Sequence, residues 1–183
     1  MFGFGKTAIP LQELAEVLAN ASLSLLLNPT AQDFMFQTQA VAVGMDKTRF
    51  LLEATALQYF TVSASIGTRL LDGGIKREQA SSLMESMFQS FHRKFHDELP
   101  TALQLEFLSL GLDIDEAFDF IVDRYDEYSN PENSTDAHKG IPRLFATLCD
   151  VLDTNDVLQR IGWSLFAIRG NIYLDTLKGL KIV

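Results

Sequence analysis

The sequence predicts an all-α bundle of about seven or eight helices, and three observations carry that prediction. The stretch from Asp46 to Asp72 has no charge between Glu53 and Arg69, and apolar or small residues occupy every side of its helical wheel. A helix of that kind is surrounded by other helices or by lipid. Apolar stripes at 3.6-residue spacing recur before and after it, with no clean two-residue alternation of a strand. Glycine, proline and Asn-Pro steps then cut the chain into pieces of helix length. The uncharged centre of 46–72 falls short of the about 20 residues a bilayer needs, and Gln58, Thr61, Ser63 and Ser65 interrupt it. It is therefore read as the buried central helix, with no membrane span.

The 183 residues fit a single helical domain, 1–183, with enough chain to bury a substantial core. Fourteen phenylalanines against one tryptophan and four tyrosines predict a core of Phe and Leu, with Met84 and Met87 filling gaps. The N-terminal residues 1–8 read as flexible. Pro10 suits the first helical position, and Leu11, Leu14, Leu18, Ala21 and Leu25 follow at helical spacing up to Asn28-Pro29. Thr30 and Asp33 resemble a capping box for a helix over 31–43, although FMFQTQAVAV also alternates in part and leaves an extended reading open. Gly44 and Asp46 separate it from the central helix, which Asp72-Gly73-Gly74 ends.

The next helix, 76–98, is the most regular in the chain, with Ala80, Leu83/Met84, Met87/Phe88, Phe91 and Phe95 on one face. A short helix over 102–110 stops at Gly111. Another over 114–128 buries Ile114, Phe118, Ile121/Val122 and Tyr125. Residues 129–140 read as an exposed loop, after which Pro142 opens a helix to about Val151. Asp153 or Thr154 caps a last segment whose buried side is Val157, Leu158, Ile161, Leu165, Ile168, Ile172 and Leu177, with Gly170-Asn171 as a point of division.

Charge is unevenly placed. Twelve acids and one base, Arg124, stand between Asp97 and Asp136, while the rest of the chain carries twelve acids and fourteen bases. A phosphate backbone is bound through Lys and Arg, so nucleic acid is an unsuitable partner for the acidic block. The one cysteine, Cys149, excludes an internal disulfide and lies in an apolar run, as a buried inert thiol does. No export signal is legible at the N-terminus, where Glu13 and Glu16 break the apolar run, and a cytoplasmic location follows as the expectation.

Three groups of residues are candidates for function. Asp115, Asp119 and Asp123 repeat every four residues, with Asp126 and Glu127 a turn further on. Like charges at that spacing cost a few tenths of a kcal/mol per pair, so a basic partner or a divalent metal would relieve the stripe; otherwise it is a solvated face. An EF-hand is excluded because Phe118 stands where that loop needs glycine. A magnesium-holding aspartate pair of the prenyl-transferring type lacks its second helix.

His92 and His96 are four apart and could present two imidazoles to one metal, but Arg93-Lys94 stand where a metalloprotease helix has its glutamate. A third ligand would come from His138 or the acidic helix. Ser63 and Gly67, with Ala64, Ser65 and Thr68, permit close helix packing or leave an apolar pocket bounded by Tyr59, Phe60, Met84, Met87 and Phe88. No phosphate loop, CxxC or Ser-His-Asp order is present. The sequence thus points to a non-catalytic interaction protein, an adaptor, chaperone-like or regulatory factor with no cofactor, that offers its acidic helix to a basic protein and is open to homodimer formation. The alternative is a bundle that binds a small apolar ligand, or works with a metal, through the central helix and the histidine pair.

Overall fold

Helical periodicity becomes helix nearly everywhere it occurs. The computed structural model describes residues 6–27, 31–130, 137–149 and 156–183. In chain order these form α1 (Leu11–Leu27), α2 (Ala31–Ala42), α3 (Lys47–Leu71), α4 (Arg77–Glu98), α5 (Thr101–Ser109), α6 (Ile114–Ser129), α7 (Ala137–Leu148), α8 (Asp156–Trp163) and α9 (Arg169–Lys178). A π-helical turn, Ser164–Ile168, joins α8 to α9 without a break, so the described residues make eight helical rods. Of the segment 31–43, Ala31–Ala42 is helical, which decides against the extended reading. No helix among the described residues is long and apolar enough to cross a membrane.

The central helix is α3. Asp46 caps it by accepting the Arg49 N–H at 2.9 Å, and Gly73, at φ +71, turns the chain away from its other end. A positive φ strains any residue with a Cβ, so glycine suits that turn. Helices α1, α2, α4, α5, α6, α7 and α9 all contact α3. Leu52, Ala54, Ala56, Leu57, Val62 and Ile66 are buried along its length, as are Thr55, Gln58 and Thr61. Buried polar groups need partners. Gln58 finds them on both sides: its Nε2 donates to Ser24 Oγ at 2.8 Å, Tyr173 Oη at 3.2 Å and the Ala21 carbonyl, while Arg169 donates to its Oε1. Through this one side chain α3 is tied to α1 and α9.

Aromatic side chains fill the space between α3, α4 and α6. Tyr59 lies 4.6 Å from Phe91 and 5.2 Å from Tyr125, Phe95 stacks on Phe107, and Phe118 meets Phe91 and Phe95 edge to face or tilted. Such pairs add about 1 kcal/mol each beyond the area they bury. Across α7 and α8 the contact is closer. A Cβ at Gly162 would stand 3.0 Å from the Phe145 ring and 3.2 Å from Pro142 Cα, so glycine is what lets these helices touch.

Four expectations are corrected. Residues Thr7 and Ala8 are not loose: Thr7–Ile9 pairs in parallel with Leu180–Ile182, Thr7 opposite Leu180, and Leu11 N–H donates to the Val183 carbonyl. Three-residue strands give no alternation long enough to recognise, and their pairing spans almost the whole chain. The expected loop 129–140 is helical at both ends, because Ser129 belongs to α6 and α7 already begins at Ala137, with Pro142 inside it. Residues 1–5, 28–30, 131–136 and 150–155 lie outside those described, and with them the cap at Thr30 and those at Asp153 or Thr154.

The last helix does not divide at Gly170-Asn171, and its buried side is not the one the spacing implies. Leu158, Ile161, Leu165 and Leu177 are buried as expected, but Ile168 and Ile172 are exposed. The π-turn inserts one extra residue into the helical count and rotates everything after it. Phe166 within that turn and Tyr173 beyond it pack against the core in place of Ile168 and Ile172.

Candidate functional site

The acidic helix α6 begins with a reciprocal cap. Asp113 accepts the Glu116 N–H at 2.9 Å, and Glu116 accepts the Asp113 N–H at 2.8 Å, which satisfies two of the free donors of a helix start. From there Ala117, Phe118, Ile121 and Tyr128 face the core, while Asp115, Asp119, Asp123, Asp126 and Glu127 are exposed. The period of the sequence therefore sorts acid from core as expected. Asp119, Asp123 and Asp126 make no hydrogen bond or ion pair among the described residues.

The one base in the acidic block is not there to neutralise them. Arg124 turns inward, and its Nε donates to both carboxylate oxygens of Glu53 at 3.0 and 3.1 Å. Glu53 is on α3 and is 0% exposed. The guanidinium also lies 4.8 Å over the Phe120 ring, a second favourable contact for a cation. Next to this pair, the fully buried Tyr128 hydroxyl has no hydrogen-bond partner among the described residues. Burial pushes its ionisation well above the ordinary tyrosine value, the Glu53 charge and Cys149 add to that, and Arg124 opposes it. Tyr59 is raised too, by burial and then by Tyr125.

His92 and His96 stand at one end of the acidic face. Their rings stack with centroids 4.3 Å apart, and both pack on Phe118, at 4.9 and 5.3 Å. His96 Nδ1 is 2.8 Å from the His92 carbonyl, and its Nε2 is 3.0 Å from Asp115 Oδ1. Both nitrogens of His96 are thus occupied, and stacked rings do not converge on one point. Among the described residues no group of three or more His, Cys, Asp or Glu is arranged to hold a metal; the His138 side chain lies outside them. The contact joins α4 to the first aspartate of the stripe.

The pocket residues separate into two sets. Ser63, Gly67 and Met84 line a groove of about 290 Å³ between α3 and α4, together with Ile66, Leu70 and Arg77. Tyr59, Phe60 and Met87 are not part of it. Tyr59 and Phe60 pack into the aromatic core against Tyr125, Tyr128 and Phe166, and Met87 is fully buried. Phe88 points outward, 40% exposed, against Phe118. Sequence reasoning missed Arg77 and Arg124. Arg124 was readable as the lone base among acids, but its partner Glu53 is 71 residues away and nothing local announces it. No family model, curated protein or solved structure matches the chain.

Proposed function

We propose that the protein works by binding, and that the exposed carboxylates of α6 receive a basic segment of another protein. The observation that carries this reading is the division of charge just described. The acidic block holds a single cation, that cation is engaged with an interior carboxylate, and Asp119, Asp123 and Asp126 face solvent without a partner among the described residues. Like charges four residues apart oppose the helix by a few tenths of a kcal/mol per pair. A Lys- or Arg-rich partner removes that repulsion and gains charge-assisted hydrogen bonds, which are the strong ones. Depletion of bases over one surface also steers a cationic partner toward it from a distance set by the Debye length.

The test is affinity capture from an extract of the source cells at about 0.1 M and about 0.5 M salt. Wild type is compared with the triple variant Asp119→Asn, Asp123→Asn, Asp126→Asn. The reading expects one or more basic proteins retained at low salt, released at high salt and lost with the triple variant. Retention of every captured protein by the triple variant, at both salt concentrations, contradicts it.

A further inference from the structure

We propose that the groove between α3 and α4 is a separate binding site, for a small amphiphile with an apolar body, a carboxylate at one end and a hydrogen-bonding oxygen at the other. The apolar walls are Ile66, Leu70 and Met84, and the space of about 290 Å³ is at the lower end of what small-molecule sites occupy.

The first support is Gly67. A glycine inside a helix costs about 1 kcal/mol relative to alanine, so its presence calls for a reason. Gly162 and Gly170, also within helices, have one: a Cβ there would stand 3.0 Å from Phe145 or 3.3 Å from Thr61 Cγ2. At Gly67 a Cβ meets nothing within 4 Å. Close packing does not account for this glycine, whereas an open floor for a ligand does.

The second support is independent of size. Thr61, Ser65 and Thr68 on the same helix each donate their hydroxyl to the carbonyl four residues back, at 2.7 to 2.9 Å. Ser63 does not. Its residue is 6% exposed, its Oγ has no partner among the described residues, and it lines the groove. A buried hydroxyl without a partner costs on the order of 1–3 kcal/mol, which a ligand oxygen would relieve once the Ser63 side chain turns about χ1 into the groove that its residue lines.

The third is charge. Arg77 lines the other end, as the first residue of α4, and makes no hydrogen bond or ion pair among the described residues. The positive end of a helix adds to its attraction for an anion. Ser63 and Leu70 are seven residues apart on α3, about 10 Å along its axis, and Arg77 follows the turn at the Leu70 end. That distance sets the separation of the ligand's two polar ends. No acidic residue lines the groove, and Arg77 is the one charged side chain that does.

The probe is 10-hydroxydecanoate, titrated into isotopically labelled protein with the backbone amides followed by NMR. Decanoate and decane-1,10-diol serve as the probes lacking one polar end. Saturable shifts are expected at Ser63, Gly67, Ala80 and Ser81, with about fivefold weaker binding for decanoate and for the diol. Arg77→Gln should lower the affinity for 10-hydroxydecanoate about fivefold and leave that for the diol unchanged. Gly67→Leu should abolish binding; should that variant not fold, Gly67→Ala decides, since one added carbon enters open space and should weaken binding while raising the melting temperature. Shifts that map elsewhere, or do not saturate, overturn the site. So does unaltered binding by the folded glycine variant, and equal affinity for the diol overturns the carboxylate.

Discussion

Glu53 and the aspartates of α6 are carboxylates a short distance apart in the fold, yet their environments are opposite. Glu53 is inside, on the helix that most of the others touch, and it holds the only base of the acidic block. Asp119, Asp123 and Asp126 are outside and hold none among the described residues. An ionised carboxylate without a partner is expensive in a protein interior and cheap in water. A single cation near both therefore belongs with the buried one. The consequence is an acidic surface whose one nearby cation is turned inward, which is the property the proposed basic partner would read.

The comparison is broken most severely by taking the cation away from the interior. Arg124→Leu takes from the buried Glu53 carboxylate both hydrogen bonds that the guanidinium makes to it, and it should destabilise the fold by about 3 kcal/mol in a urea melt. The double variant Glu53→Leu, Arg124→Leu removes both charges and should recover most of that loss. If the double variant is as unstable as the single one, packing rather than charge explains the pair.

Glu16 is an intermediate case that sharpens the scale. It lies on α1, half-buried, and receives Ser90 Oγ at 3.1 Å, Arg93 Nη2 at 2.6 Å and Lys94 Nζ at 3.4 Å from α4. Desolvation acts upward on its carboxyl, but the hydrogen bonds from Ser90, Lys94 and Arg93 outweigh it and hold its pKa below the ordinary glutamate value. A carboxyl with a lowered folded-state pKa stabilises the fold above its unfolded value, and the contribution disappears as pH falls through the folded value. Glu16→Gln should thus cost at most about 1 kcal/mol at neutral pH. Melts of variant and wild type should draw together as pH falls below the ordinary glutamate value and converge once it is below the lowered folded-state value. A gap that persists at low pH assigns the effect to packing.

Tyr128→Phe addresses the other side of the buried pair. Deleting a hydroxyl that has no partner should leave stability unchanged or raise it by up to about 1 kcal/mol. A loss larger than that would mean the hydroxyl is bonded in solution, and the polar cluster around Glu53 is larger than the contacts described.

How far the sequence could lead depended on whether the cause was local. The limits of α3 were legible because Asp46 and the Asp72-Gly73-Gly74 turn are local signals, and the acid-out, core-in pattern of α6 is written in its period. The outward turn of Ile168 and Ile172 was not legible, because one inserted residue in a π-turn reverses a pattern that is regular on either side of it. The strands were too short to register. At the pocket, small residues at Ser63 and Gly67 marked a true gap, but one helical turn earlier Tyr59 and Phe60 filled the space with their own rings and those of Phe91 and Tyr125. The stack of His92 on His96 and Phe118 shows the same limit, since spacing places two rings on one face but does not say whether they converge or lie flat.

The claim at the centre of this account is that the α6 carboxylates serve something other than the fold. The most direct measurement is the urea midpoint of the triple variant Asp119→Asn, Asp123→Asn, Asp126→Asn beside wild type at low salt. Removing repulsion between exposed like charges should leave the midpoint unchanged or raise it, by a few tenths of a kcal/mol per pair, with the gain fading as salt is added. A midpoint lowered by the equivalent of more than about 1 kcal/mol would contradict it, because an exposed surface change of that size means the aspartates hold the protein together.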